Sequence, residues 1–255
     1  MLSNSRYKRL FGLIGFPLVH SFSQTFFDQK FESENIDAHY ANFEIPSIEH
    51  LDGILKKNPN LSGFNVTIPY KEQIFGYLDA VDPVAKAIGA VNVVKIFTQP
   101  DGSRTLKGYN SDVIGFGDSI RPMINKDLHK KALVLGTGGA AKAIVHALDS
   151  MEIECTMVSR SHKPGTICYD DITPEILKDN LLIINATPIG MYPNIDECPK
   201  LPYEALTADH ICYDLLYNPD TTLFMRKAAE AGATVKNGLE MLLLQAFVSW
   251  NIWNK

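Results

Sequence analysis

A chain of 255 residues, 45% hydrophobic and 21% charged, can bury one large core or two compact ones without disulfide or metal staples, and it is too apolar to be intrinsically disordered. A formal net charge of −5 argues against a broad polyanion-binding surface, and so against nucleic acid as a partner, but leaves room for a local basic cluster that holds one phosphate. No apolar run approaches the roughly 18 to 20 residues that cross a bilayer, and the N-terminus lacks the apolar region and cleavage site of a signal peptide, so the expected location is the cytoplasm.

The first half alternates strand-like and helix-like stretches: 9–16, 23–34, 39–43, 48–57, 63–66 and 70–78. Such alternation predicts βαβ units on a parallel sheet. Residues 90–97 and 104–109 read as two strands joined by Gln99-Pro100-Asp101-Gly102, a turn signal that closes the first domain with a hairpin. A second alternating series starts at residues 131–135. Further strands are expected at 155–158, 181–185, 211–214 and 234–236, a helix at 223–231, and a strongly apolar terminal helix at 239–250. No repeat of 20 to 50 residues recurs, which excludes a solenoid. The fold class is therefore α/β, with two open α/β domains facing across a cleft, the second of Rossmann type. The expected domains are 1–112, joined by the C-terminal helix 238–255, and 113–237.

The strand at 131–135 runs directly into Gly136-Thr137-Gly138-Gly139-Ala140-Ala141 and then into a helix reaching about Met151. Glycines in such a turn let backbone N–H groups approach a pyrophosphate, and the helix N-terminus adds partial positive charge. At the end of the second strand an Asp or Glu would accept a ribose 2′-hydroxyl, whereas an Arg accommodates a 2′-phosphate. This chain has Ser159-Arg160-Ser161-His162-Lys163, which predicts NADP, with NAD the lesser alternative. Cys155, Cys168, Cys198 and Cys212 are widely spaced and lack histidines at zinc-ligand spacing, so they read as buried thiols and no metal is expected.

Short polar motifs stand at the strand ends: Gly15-Phe16-Pro17-Leu18-Val19-His20-Ser21-Phe22-Ser23, Asn65-Val66-Thr67-Ile68-Pro69-Tyr70-Lys71, Gly89-Ala90-Val91-Asn92 and Gly108-Tyr109-Asn110-Ser111-Asp112. Later come Asn185-Ala186-Thr187-Pro188-Ile189-Gly190-Met191, Asp214-Leu215-Leu216-Tyr217-Asn218-Pro219 and Asn237-Gly238-Leu239-Glu240 running on to Gln245-Ala246. Together and in this order they resemble the shikimate dehydrogenase family over nearly the whole chain. The resemblance implies reversible reduction of 3-dehydroshikimate to shikimate, on the route to chorismate and the aromatic amino acids, and a small-molecule partner, with a homodimer left open. It makes Lys71 and Asp112 the catalytic pair. It assigns Ser21 and Ser23 to the substrate carboxylate, and Asn65, Thr67, Asn92 and Gln245 to the ring hydroxyls, with Tyr217 beside substrate and nicotinamide. Cofactor contacts fall on Gly136, Thr137, Gly138, Gly139, Ala140, Ala141, Ser159, Arg160, Thr187, Met191, Leu215 and Gly238. His20 is given no proton-transfer role.

The chain departs from the family pattern in the first helix, where Gln24 follows the second serine in place of proline and Phe27-Asp28 replaces a His-Asn pair. Ser111 stands for threonine, and Ser159 and Ser161 flank Arg160 in place of Asn and Thr. Two other readings compete: a relative that oxidises quinate as well as shikimate with NAD, and a noncatalytic NADPH-responsive binding protein on the same fold. Retention of both Lys71 and Asp112 argues against a sensor, which needs no proton relay. Since Gln245 is assigned to the substrate, the terminal helix should return to the first domain, with Leu242 to Leu244, Phe247 and Trp250 as its packing face.

Overall fold

The computed structural model describes residues 7–18 and 22–255, which form two compact units. Unit 1 comprises Ser111 and the described residues before it, with Ala246–Lys255; unit 2 is Asp112–Gln245. No helix among the described residues is long and apolar enough to cross a membrane.

Unit 1 begins with β1 (Arg9–Gly15), α1 (Phe22–Ser33), β2 (Ala38–Glu44), α2 (Leu51–Lys57) and β3 (Leu61–Val66). It continues through β4 (Ala80–Val81), α3 (Pro83–Ile88), β5 (Val93–Thr98) and β6 (Arg104–Tyr109). The sheet runs β2-β1-β3-β5-β6-β4, with β5 alone antiparallel to its neighbours. Alternation along a strand sends successive side chains to opposite faces. In β1, Leu10 and Ile14 join a core with Phe64, Val66 and Leu51, while Phe11 joins Phe27, Phe31 and Trp253 on the other side. A strand covered on both faces reads as an unbroken apolar run, which is why β1 was legible.

The stretch 70–78 is not the helix expected from its pattern. It is a loop with one 3-10 turn at Gln73–Tyr77, which lacks a side-chain cap at Glu72 and contains Gly76. The true helix comes next: the Asp82 side chain accepts from the Val84 N–H, Pro83 opens α3, and Gly89 closes it in the left-handed region at φ 73°.

Unit 2 contains α4 (Asp112–Ile120), β7 (Lys131–Leu135), α5 (Gly139–Asp149), β8 (Glu154–Ser159) and β9 (Thr166–Cys168). After these come α6 (Pro174–Asp179), β10 (Leu182–Asn185), β11 (Ile211–Asp214), α7 (Leu223–Glu230) and β12 (Thr234–Lys236). Its sheet is β12-β11-β10-β7-β8-β9, parallel throughout. Counted from β7 as the first strand, that is the doubly wound order 3-2-1-4-5-6 read from the β9 edge, with the switch point between β7 and β10.

The last helix, α8 (Leu239–Asn254), divides at Gln245. Its first turns belong to unit 2, where Met241 enters the core with Phe116 and Ile144, rather than to unit 1 as expected from the sequence. Gly115 of α4 makes this approach possible, since a Cβ there would lie 2.8 Å from the Met241 carbonyl oxygen. The later turns place Ala246, Ser249, Trp250 and Trp253 on one face, at spacings of three, four and seven. Phe247 falls off that stripe and is 48% exposed, which corrects its assignment to the packing face. Trp253 replaces it, buried against Phe11 with ring centroids 4.7 Å apart and its indole N–H donating to the Val94 carbonyl at 3.0 Å.

Candidate active site

In unit 1 the parallel strands β1, β3 and β6 all end at one edge of the sheet, and the reversed β5 begins there. That edge therefore gathers Thr67 to Lys71 after β3, Asn92 before β5, and Asn110 and Ser111 after β6. Ligands of open α/β sheets bind at such carboxyl edges. The backbone around Lys71 is held from both sides. The Lys71 carbonyl accepts the Val91 N–H at 2.8 Å, and the buried Tyr70 beside it donates its hydroxyl to the Ile45 carbonyl at 2.6 Å. Lys71 itself is half-buried, and Thr67 is fixed by its N–H donating to the Ile14 carbonyl.

A continuous hydrogen-bonded network runs beneath this edge. The Tyr40 hydroxyl donates to Asn65 Oδ1 at 2.9 Å. Asn65 Nδ2 donates to the Asn92 carbonyl at 3.2 Å and to Ser249 Oγ at 3.0 Å. Asn92 Nδ2 donates to Ser111 Oγ at 3.0 Å, and its Oδ1 accepts the Ser111 N–H at 2.7 Å. Ser23 joins through a hydrogen bond to the Tyr40 phenol. The network links Ser23, Asn65 and Asn92 through Tyr40, Ser111 and Ser249, of which Tyr40 and Ser249 went unnoticed in the sequence. Ser21 and His20 lie outside the described residues.

The first-helix departures converge on β2. Gln24 Oε1 accepts from Asn42 Nδ2 at 2.9 Å. Phe27 stacks on Tyr40 at 4.8 Å, and Asp28 Oδ1 accepts the Tyr40 N–H at 3.0 Å.

In unit 2, Asp112 opens α4 and is 2% exposed; a carboxylate in a first helical turn is favoured by the exposed N–H groups there. At the switch point Gly136 adopts φ 116°, where a Cβ would meet the Ala186 carbonyl oxygen at 3.1 Å. Gly138 stands at the N-cap of α5 without a side chain, and nothing lies within 4 Å of where its Cβ would be. The N–H groups of Gly139, Ala140 and Ala141 start the helix with no intrahelical acceptor. A permissive turn, open space above Gly138 and a helix N-terminus form a cradle that fits a pyrophosphate. Ser159 is buried at the end of β8, and Arg160 beside it is exposed.

The loops after β10 and β11 meet at a buried carboxylate. Asp214 Oδ1 accepts Asn185 Nδ2 at 3.0 Å and the Leu216 N–H at 3.1 Å, while Oδ2 accepts the Thr222 hydroxyl at 2.7 Å. Asn185 Oδ1 in turn accepts the N–H and hydroxyl of Thr187. Burial pushes the Asp214 carboxyl up to about 6, against the downward pull of those hydrogen bonds. Sequence reading missed Asp214 and Asn185 as organisers, although each is the one polar residue closing a wholly buried strand.

Gly238 packs on the same loop, its N–H donating to the Leu216 carbonyl at 2.9 Å. An added Cβ would lie 2.1 Å from the Leu215 carbonyl oxygen and 2.6 Å from its carbon, both backbone atoms that cannot swing aside. Gly238→Ala should cost about 2–3 kcal/mol and weaken NADP binding. Thermal melts with and without NADP check this, and an unchanged midpoint would show that the loop yields freely. Met191 is 45% exposed, and Tyr217 and Gln245 are half-buried.

Two cysteines differ from expectation: Cys155 and Cys198 are only partly buried, while Cys168 and Cys212 are buried. Cys168 lies with His162 and Asp171, a grouping the spacing did not suggest. There Asp171 Oδ2 already accepts the Cys168 N–H at 2.7 Å as part of a turn cap.

Residues 13–94 match a family model described as the shikimate dehydrogenase substrate binding domain. Shikimate dehydrogenase (NADP(+)) of Methanococcus vannielii is 37% identical over 96% of this chain and 90% of its own length. The chain belongs to the shikimate dehydrogenase family. A crystal structure of a shikimate dehydrogenase in complex with NADP+ is 34% identical, with a TM-score of 0.83 over 99% of this chain and 91% of that one. The Thermus thermophilus shikimate dehydrogenase in complex with NADP(H) and shikimate is 32% identical, with a TM-score of 0.82 over 96% and 93% of the two chains. The two-sheet α/β architecture with a Rossmann-like second unit is thus the family's own.

Proposed function

We propose that the chain is an NADP-dependent shikimate dehydrogenase, an oxidoreductase acting on a CH–OH group that interconverts 3-dehydroshikimate and shikimate. The observation that carries this reading is the carboxyl edge of the unit 1 sheet. Asn65, Thr67, Lys71 and Asn92 come together there, with Ser111 leading by one peptide bond into Asp112. The similar Thermus thermophilus enzyme, solved in complex with NADP(H) and shikimate, supports it.

Bound NADP supplies or accepts the hydride. The residues of the chain do the rest. Reduction of a ketone leaves negative charge on oxygen, and in this reading Lys71 stabilises that charge and delivers the proton, with Asp112 as its relay partner. Asn65, Thr67, Asn92, Gln245 and Tyr217 hold the ring, and Ser21 and Ser23 take the carboxylate. The cofactor lies on Gly136 to Ala141, Ser159, Arg160, Thr187, Met191, Leu215 and Gly238. The site uses no metal. The enzyme works in the cytoplasm on a small-molecule substrate, and a homodimer is left open, which light scattering on a sizing column decides.

The deciding experiment follows NADPH absorbance with shikimate, then with quinate and with NAD. Rapid turnover with shikimate and NADP alone is expected. Equal turnover with quinate or NAD would move the chain to the broader-specificity reading, and NADPH binding without turnover would favour the sensor. Arg160→Ala should raise the KM for NADP by roughly 10- to 100-fold, the worth of a charge-assisted phosphate contact. The KM for NAD should stay within about twofold, and equal effects on both cofactors would make Arg160 a turn residue only.

A further inference from the structure

Asn65 has little freedom left. Its amide could in principle be turned either way, since O and N look alike in outline. One neighbour decides the matter: the Asn92 backbone carbonyl, 3.2 Å away, can only accept. Nδ2 must therefore face it, and the second Nδ2 hydrogen points to Ser249 Oγ at 3.0 Å. Oδ1 is then an acceptor facing the Tyr40 hydroxyl at 2.9 Å, so Tyr40 must donate. Burial raises the Tyr40 phenol far above its ordinary range, which keeps its proton in place as a permanent donor. Both amide hydrogens and one of the two oxygen lone pairs are engaged, and one acceptor lone pair remains.

The supports are rigid. Tyr40 is 0% exposed, clamped by Phe27 on its ring and by Asp28 on its N–H. Ser249 is also 0% exposed, held on the helix face that Trp253 anchors in the core. Turning Asn65 over would set its oxygen against the Asn92 carbonyl and lose the donor bonds to Asn92 and Ser249 together.

We propose that Tyr40 and Ser249 are positioning residues that, together with the Asn92 carbonyl, hold Asn65 as an acceptor only, so that the ring position it meets must carry a hydrogen-bond donor. The inference rests on the dehydrogenase reading above and adds a selection rule to it. A hydroxyl is accepted at that position, whereas an acceptor-only group such as fluorine, or a carbonyl, is refused.

The test compares wild type, Tyr40→Phe and Ser249→Ala, with Ser249→Thr as the conservative control. Tyr40→Phe keeps the stacked ring and removes only the hydroxyl, which releases Ser23 as well as Asn65, so Ser249→Ala, which leaves the Tyr40 hydroxyl and Ser23 in place, isolates the effect on Asn65. The expected result is a 5- to 30-fold rise in the KM for shikimate in Tyr40→Phe and Ser249→Ala, with kcat and the KM for NADP within twofold, and recovery in Ser249→Thr. A merely structural role would instead raise both KM values together with a fall in thermal midpoint, and that outcome would overturn the proposal. In wild type, shikimate analogues fluorinated at each non-reacting ring hydroxyl in turn should show one position where fluorine loses as much kcat/KM as hydrogen does. Fluorine tolerated at every position would also overturn it. An NMR readout needs no turnover: in the ligand-free protein the Asn65 side-chain N–H pair should be protected from solvent exchange and lose protection in Ser249→Ala. Lack of protection in wild type sinks the proposal even if shikimate turns over, while protection without any turnover with shikimate sinks the dehydrogenase reading and the selection rule built on it.

Discussion

Lys71→Ala should lower kcat by roughly 10²- to 10⁴-fold, the range over which a positioned proton donor acts, while NADPH affinity stays nearly unchanged. The expectation follows from how the residue is built into unit 1. Its main chain is fixed independently of its side chain, by the Val91 N–H on its carbonyl and by the Tyr70 anchor next door. Truncation therefore removes the ammonium without releasing the loop. None of the cofactor residues lies on this segment, so binding of NADPH has no route by which to suffer. Stopped-flow turnover and NADPH fluorescence titration separate the two effects. A variant that retains kcat within tenfold would remove Lys71 from proton transfer, and one that loses NADPH affinity in step with kcat would show that the loop itself had moved.

What could be read beforehand follows from local physics. The central strands of unit 2, β7, β10 and β11, are covered on both faces, and residues 132–135, 182–184 and 211–213 are accordingly apolar without a break, which made the Rossmann series legible. The elements that escaped notice are short: β4 has two residues, β9 three, and α3 and α6 six each, too few for any period to show. Phe247 was misplaced because α8 is apolar around its whole circumference, so composition offers no face to choose. Within the site, residues in dense polar motifs such as 65–71 were legible. Tyr40, Ser249 and Asp214 were not. Asp214 and Ser249 are lone polar groups in apolar stretches, Tyr40 reads as one more core aromatic of β2, and the meaning of each lies in a partner elsewhere in the chain, as with Asn65 and Ser249, 184 residues apart. Hydrogen bonds of that range leave no mark on local periodicity. The one available signal was indirect, since a polar residue ending a fully buried strand needs a partner.

Asp214→Ala should destabilise unit 2 by about 3–5 kcal/mol, because two buried donors, on Asn185 and Thr222, and the part-buried Leu216 N–H would lose their acceptor together. A fall of about 10 °C in thermal midpoint corresponds to that loss. Asp214→Asn separates the charge from the hydrogen bonds. An Asn oxygen can keep the Asn185 and Leu216 bonds, and its amide can donate to the Thr222 oxygen, which also accepts the Met225 N–H. The sign of the pH effect follows from burial, which raises the folded carboxyl from 3.8 to about 6. Between those values the folded state holds the proton more tightly than the unfolded chain. The Asp214 contribution to stability therefore falls as pH rises through that window, reaching a cost of about 3 kcal/mol above it. Asn has no such slope. Relative to wild type, Asp214→Asn should thus gain about 2 kcal/mol between pH 4 and pH 7, measured by urea unfolding at each pH. Parallel curves for the two proteins would mean that Asp214 titrates as an ordinary carboxylate. The Ala variant should in addition raise the KM for NADP more than that for shikimate, since the loops that Asp214 ties carry Thr187 and Leu215 on the cofactor side and Tyr217 alone of the ring-binding residues; a rise confined to shikimate would detach this carboxylate from the cofactor side altogether.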